Sequence, residues 1–450
     1  MSVGTIERIS ENQVLDRAAM RRMDEVIRNI PDEQLRSADH GVPGLDPAVS
    51  IDPFSHFGML RDAGQDVIPY ANGRYGPLEV YNGFGRDLSL PNFAVVGYSA
   101  LKAMVLDPAN FVNEGAYGAH GDAQNPGFTF VNELDGAAHK AMRRLFEQEV
   151  FSRRFLTELA DDTIAPLAEF LSQRIRGMID EGEPADLCRD LALPLLYMSM
   201  ARVIGIEMVD LSYFVGLGEA VFGGPRDFEA AGRAAAELDD YFGKVYEERK
   251  AKGDLDKGDL MSLMSEAERE GLRFSAREII VYCRFLLPAG IETTWRQVAN
   301  IGYSLMLHPD QYREVVADPS LSTAAIEEAT RWMPSGFVLP RTAAHDTELA
   351  GVAIPAGSSL YGIFGVANRD PRIWPDGNRF DIHRKRTPHL TFSAGSHACM
   401  GQQLARQSFA HVLRSMTSNL PDMVLAADPA EVRTTGFIIR CPDAVPVRRG

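Results

Sequence analysis

Apolar residues recur at helical spacing through the middle of the chain, over 136–150, 153–180, 190–205, 210–222, 227–252, 259–269, 276–307 and 322–333. That predicts a helical bulk. Toward both ends the period shortens. Val67 to Tyr70, Leu78 to Tyr81 and Phe93 to Val96, and later Val338, Thr347 to Leu349, Val352 to Ile354 and Ser358 to Phe364, alternate as strands do. Further helices are expected at 54–64 and 101–106. Beyond Met400 another is marked by the recurrence of Leu404, Ala405, Phe409, Val412, Leu413 and Met416. The fold class is therefore mainly α with small β-sheets, an α+β arrangement. Residues 1–50 form a polar lead-in with a short helix around Asp16 to Ile30, and Gly115 to Gly127 reads as a mobile loop without a sustained period. No repeat or low-complexity linker divides the rest. A length prior of roughly 150 residues per domain suggests about three domains. Continuity of pattern overrides it, giving one domain over 51–450 with the lead-in packed on the same fold.

Charge narrows the function classes. With 62 acidic and 46 basic side chains the net charge is −16, which argues against a dedicated nucleic-acid binder while leaving local basic patches open. Residues 1–34 lack the apolar core of a secretory signal, and no run reaches about 18 uninterrupted apolar residues. A cytoplasmic protein without a membrane anchor is expected. The four cysteines, Cys188, Cys283, Cys399 and Cys441, are widely separated and form no paired motif, so neither a zinc site nor a disulfide framework is predicted.

One of them stands apart. In Phe392-Ser393-Ala394-Gly395-Ser396-His397-Ala398-Cys399-Met400-Gly401, small residues bracket Cys399 immediately before a helix start. The glycines at 395 and 401 permit backbone conformations that would bring the sulfur close to a flat cofactor. The free N–H groups of the helix end are expected to lower the thiol pKa, which suits redox chemistry, nucleophilic catalysis or metal ligation; we favour a metal ligand. A second stretch, Leu287-Pro288-Ala289-Gly290-Ile291-Glu292-Thr293-Thr294, interrupts a long helical pattern. Pro288 deprives the Arg284 carbonyl of its usual donor, at about 3 kcal/mol or more, so a kink is expected. Thr293 can bond to a carbonyl one turn earlier and hold the distortion open. Glu292 beside it supplies a proton-transfer group. A third, Glu328-Ala329-Thr330-Arg331, puts a carboxylate and a guanidinium on one helix face. His139 with Arg143, Arg341, and His397 could meet carboxylate groups of a cofactor. Taken singly, each of these has an ordinary structural reading.

Taken together, the residues resemble the cytochrome P-450 haem-thiolate monooxygenases in their soluble bacterial form, over nearly the whole chain. The ligand signature FxxGxHxCxG is Phe392, Gly395, His397, Cys399 and Gly401, and the oxygen-activating motif is Ala289, Gly290, Glu292, Thr293 and Thr294. Glu328 and Arg331 match the ExxR pair, with Arg379 as the expected third member. His139 and Arg143 match an HxxxR helix beside the haem, and Arg341 matches a propionate-binding arginine. The resemblance implies haem b held between a long kinked oxygen-binding helix and the cysteine loop, with Cys399 on the iron. Ala289 and Gly290 would lie against the cofactor, and Glu292 and Thr293 would relay protons. O2 is then the co-substrate, and one of its atoms enters a C–H bond of a small to medium hydrophobic guest of terpenoid, aromatic or fatty type. Electrons would come from NAD(P)H through a separate ferredoxin and reductase docking at Arg144, Arg153, Arg384 and Lys385, and a monomer is expected. By analogy the guest's walls are 115–130, 214–228, 285–289, 337–339 and Phe437. A peroxide-driven hydroxylase and a haem-binding sensor without turnover are the alternatives. Ser393, where the family usually has glycine, and Pro288 depart from the pattern.

Overall fold

The computed structural model describes residue 27, residues 51–70, 90–114, 116, 130–206, 211–222 and 228–450. The lead-in, apart from a helical and buried Ile27, lies outside the described residues, as do the expected strand at 78–81 and nearly all of the 115–127 loop.

Helices dominate, in the order α1 Pro53–Asp62, α2 Tyr98–Leu106, α3 Gly136–Leu145, α4 Arg153–Leu159, α5 Ala165–Asp180, α6 Leu193–Ile204, α7 Leu211–Phe222, α8 Phe228–Lys252, α9 Leu260–Glu266 and α10 Ala276–Leu307. Four more follow: α11 Pro309–Ala317, α12 Ser322–Trp332, the short α13 Phe364–Ala367 and α14 Gln402–Asn419. The axis of this bundle is α10, which packs against α6, α8 and α12. Its start is fixed by a capping box in which Glu278 N donates to Ser275 Oγ at 3.2 Å and Ser275 N donates to the Glu278 carboxylate at 2.7 Å. The helix continues without interruption through Pro288. Buried Leu171, Leu195, Val215, Leu238, Phe242, Leu305 and Leu413 fill the spaces between helices, each worth roughly 1.5–3 kcal/mol of transfer free energy.

A five-stranded sheet stands beside the bundle in the order β1, β2, β10, β7, β3, where β1 is Val67–Tyr70, β2 Asn92–Val95, β3 Phe111–Val112, β7 Val338–Ala343 and β10 Ser359–Ile363. Its β10–β2 pair is parallel and the others antiparallel. The pattern signalled β7 only at Val338 because Pro340 masks a strand. Pro340 is tolerated because β3 pairs only with Thr342 and Ala343, so at 340 that side of β7 is an edge. Two helical boundaries also differ from expectation. The 259–269 segment stops at Glu266, after which Glu268–Arg269 (β5) and Leu272–Arg273 (β6) form a hairpin whose turn residues Glu270 and Gly271 both take positive φ. And α11, which the pattern did not reveal, begins with Pro309 at its first position, where a missing N–H costs nothing.

Candidate active site

The loop before α14 presents Cys399. Its amide donates to Phe392 O at 2.8 Å, closing the loop on itself, and Ser393 N donates to Leu390 O at 2.7 Å. Gly395 has φ +72°, and a Cβ there would stand 3.0 Å from Val105 O, so the close approach of α2 to the loop requires glycine. Ser393 also adopts a left-handed φ, +58°, which answers how the loop accepts a side chain at that place. The hydroxyls of Ser393 and Ser396 are buried without a hydrogen-bond partner. Cys399 itself is exposed, yet protein surrounds it closely enough for burial to push its thiol pKa up. The Gly401 amide and the cations Arg143 and Arg406 oppose that shift without reversing it. The expected lowering by the helix end is thus outweighed by burial; a metal ion, were one bound, would deprotonate a coordinating thiol outright.

The α3 residues grip the same loop. Arg143 donates to Ser396 O at 2.9 Å and to Ala398 O at 2.7 Å and pairs with Glu147. His139 is buried and stacked on His397, ring centroids 4.0 Å apart. Burial, with the His397 and Arg143 charges next, lowers the His139 pKa to about 4. His397 Nε2 lies 3.1 Å from Asp135 Oδ1, and the other Asp135 oxygen accepts the amides of Asn113 and Glu114 at 2.8 Å each. Those two residues directly follow β3, which pairs with the β7 that carries Arg341, buried, its Nη1 donating to Pro340 O. Asp135 therefore joins the histidine pair to the Arg341 strand. Its spacing four residues before His139 was the available signal.

Between Val281 and Met306 of α10, the residues that keep partial exposure are Phe285, Leu286, Ala289, Gly290, Thr293 and Thr294. They form a continuous stripe, with Phe285, Ala289 and Thr293 in line one turn apart. Thr293 Oγ1 donates to Ala289 O at 3.1 Å, as anticipated, and the Thr293 carbonyl accepts from Ser335 Oγ at 2.7 Å. Phe130 stacks on Phe285 with centroids 4.4 Å apart. A Cβ at Gly290 would meet Met200 Cε and Sδ at 3.0 Å, so its bareness also admits the Met200 side chain of α6. Glu292 is not on the stripe. It is 1% exposed, ion-paired with Arg296, and accepts a hydrogen bond from Tyr197 Oη at 2.9 Å. Phe337 and Phe437, expected as walls, instead pack together with Phe57 in a separate core.

Behind the loop, Arg331 makes a bidentate pair with Glu328, 2.8 and 2.7 Å, and donates to the carbonyls of Asn368 and Gly377. The third member is Arg384, not Arg379. Arg384 Nε lies 3.2 Å from Glu328 Oε1 with 13% of its side chain exposed, whereas Arg379 is 68% exposed and reaches Asp381 only at 3.8 Å. Arg384 also donates to Pro375 O, Asp376 O and Arg379 O, which takes it out of any docking face. Nothing in the sequence separates Arg379, Arg384 and Arg386; the turn at Asp376, with φ +52°, decides.

A haem fits these residues: an accessible thiol at Cys399, buried cationic or protonatable groups at His139 and Arg341, an accessible stripe of small and apolar residues on α10, and two orphaned hydroxyls on the ligand loop. The comparisons agree. The family model described as cytochrome P450 matches residues 222–420. The chain is 31% identical to the mycinamicin IV hydroxylase/epoxidase of Micromonospora griseorubida, over 70% of this chain and 78% of that protein. To the 6-deoxyerythronolide B hydroxylase of Saccharopolyspora erythraea it is 30% identical, over 81% and 91%. The crystal structure of the myxobacterial cytochrome P450 CYP267B1 in complex with myristic acid superposes with a TM-score of 0.77 at 27% identity, covering 90% of this chain and 98% of that one.

Proposed function

The chain belongs to the cytochrome P450 family, and from that premise we propose how its own residues carry out the family's chemistry. It is a haem-dependent monooxygenase that uses haem b and O2, with reducing equivalents from NAD(P)H. When bound, a thiolate-ligated haem supplies the electron donation that favours O–O cleavage. In our reading Cys399 would ligate the iron, and the Arg143 clamp on the Ser396 and Ala398 carbonyls fixes the loop that carries its sulfur. His139 and Arg341 would hold the cofactor's carboxylates, and Phe392, Gly395, His397 and Gly401 shape the ligand loop. Ala289 and Thr293 stand on the stripe that faces the reacting region, and Ser335 holds the backbone there. Thr293 positions a proton at its hydroxyl and Glu292 supplies it, a role that typically contributes about 10²–10⁴-fold.

The guest is a hydrophobic, small to medium organic molecule, as the Phe130–Phe285 stack and the aliphatic neighbours of the stripe favour apolar contact. Electrons come from a separate ferredoxin and its reductase. The observation that carries the whole reading is an accessible Cys399 on a loop clamped by Arg143. Haem-loaded protein reduced under carbon monoxide is expected to give a thiolate spectrum that Cys399→Ala abolishes. A normal thiolate spectrum in that variant would overturn the assignment, and a screen of apolar molecules for the spin-state shift on water displacement identifies the guest.

A further inference from the structure

We propose that Tyr197 is a positioning residue for proton supply, its phenol holding the Glu292 carboxylate and passing it protons from the side covered by α7. This rests on Glu292 being the acid of the reaction. The groups facing that carboxylate come from three elements. Tyr197 on α6 donates to Oε1 at 2.9 Å, and Arg296, fully buried on α10, pairs with Oε2 and also reaches the Glu292 carbonyl at 3.2 Å. From Cys441–Pro442 the Cys441 thiol faces the pair, and Cys188 lies beyond Arg296. A guanidinium does not give up its proton in a protein. Both thiols are kept neutral by burial, which pushes Cys441 up to about 12. Among the described residues that leaves the phenol as the proton-bearing group on the carboxylate that can exchange.

The surroundings of Tyr197 say where its proton comes from. The residue is 3% exposed, and its hydroxyl sits against Gly218 of α7, where a Cβ would stand 3.2 Å from the phenolic oxygen. The bare glycine makes room for the hydroxyl between α7 and α10. The phenol thus touches α7 through Gly218 on one side and the Glu292 carboxylate on the other. In the step itself the Tyr197 O–H bond breaks as the Glu292 Oε1–H bond forms, and the phenolic oxygen regains a proton from water on the α7 side. Once neutral, Glu292 is no longer attracted to Arg296 and is free to give the proton up toward Thr293. The net change is one proton moved inward from water.

The test compares Tyr197→Phe, Glu292→Gln and a variant carrying 3-fluorotyrosine at 197 in the haem-loaded protein with one bound substrate. Tyr197→Phe is expected to leave the carbon monoxide spectrum and the substrate-induced spin shift unchanged. It should lower product formed per electron pair on the order of tenfold, less than the 10²-fold typical for losing the acid itself, and raise the solvent deuterium isotope effect. In the resting protein the carboxylate infrared band, assigned by its loss in Glu292→Gln, should shift in Tyr197→Phe. Fluorotyrosine keeps the hydroxyl and lowers its pKa, so coupling should be retained while the alkaline limb of the pH profile moves down, a change that packing alone would not cause. Gly218→Ala, which crowds the hydroxyl but leaves both partners in place, should reproduce the isotope effect. If Glu292→Gln changes coupling but Tyr197→Phe moves neither coupling, isotope effect nor band, this inference falls alone. A silent Glu292→Gln removes the underlying reading and this inference with it.

Discussion

Ser393 and Cys399 show how single positions in the ligand loop are governed by their surroundings. A left-handed φ costs a non-glycine residue roughly 1–2 kcal/mol, and the Ser393 hydroxyl is buried without a partner besides. Ser393→Gly is therefore expected to stabilise the protein by about 1 kcal/mol, read as a higher midpoint in urea, with the haem spectrum unchanged. A lower midpoint would mean that the hydroxyl has a role in the loop. At Cys399 the expected lowering of the thiol pKa is outweighed by burial: proximity to a helix start is visible in a sequence, but the extent to which other segments close over a thiol is not. Glu292 teaches the same lesson. Its identity could be read from the motif, whereas the ion pair with Arg296 and the bond from Tyr197 required knowing which face of α10 meets α6.

Pairs of elements are held by charges whose partners lie far apart in sequence. Glu328 on α12 binds Arg331 and Arg384 together, and the Asp381 amide adds a 3.0 Å bond to the same carboxylate. Arg384→Ala should cost about 3 kcal/mol, the scale of breaking a buried pair, and speed haem loss, while the exposed Arg379→Ala should stay within about 0.5 kcal/mol. Equal effects in denaturation would return the third position to doubt. One residue earlier, Glu327 joins α12 to α14 through Arg406 at 2.8 Å and meets His389 at 3.3 Å. Burial alone would raise its pKa, yet His389 and Arg406 bring it down to about 2, below the ordinary value of 4.5. The pair's contribution is thus fully present above about pH 4.5 and is lost as pH falls toward 2. Glu327→Gln should lower stability at pH 7 by about 2 kcal/mol and make the acid decline shallower, as pH-dependent unfolding would show. Helices were legible wherever one apolar face persisted, so α10 and α12 were placed to within a residue or two. The hairpin after α9 and the strand containing Pro340 were not, because a tight turn and an edge are relations between segments rather than properties of one.

For the molecule as a whole, net charge and local charge point in different directions. The chain carries −16, yet Arg144, Arg153 and Lys385 are exposed, and with Arg384 committed to Glu328 they are what remains of the basic face expected to meet a ferredoxin. Reversing all three to glutamate should slow reduction by a ferredoxin about tenfold at low ionic strength. The difference should shrink near 1 M salt, where the Debye length is about 3 Å. Stopped-flow rates that do not depend on these charges would place the partner elsewhere. Among the described residues no helix is long and apolar enough to cross a membrane. The sheet adds a demand of another kind. Strand β2 is completed on one side by β10, and most of the chain lies between them. During synthesis the 92–95 strand must therefore wait, one edge unpaired, while the helical bundle emerges and before residues 359–363 arrive. Unpaired strand edges of that sort are templates for aggregation. Chains truncated between α10 and β10 should accordingly be insoluble even though α1 to α10 are complete, which makes translation speed through this interval, and chaperone supply, a determinant of yield.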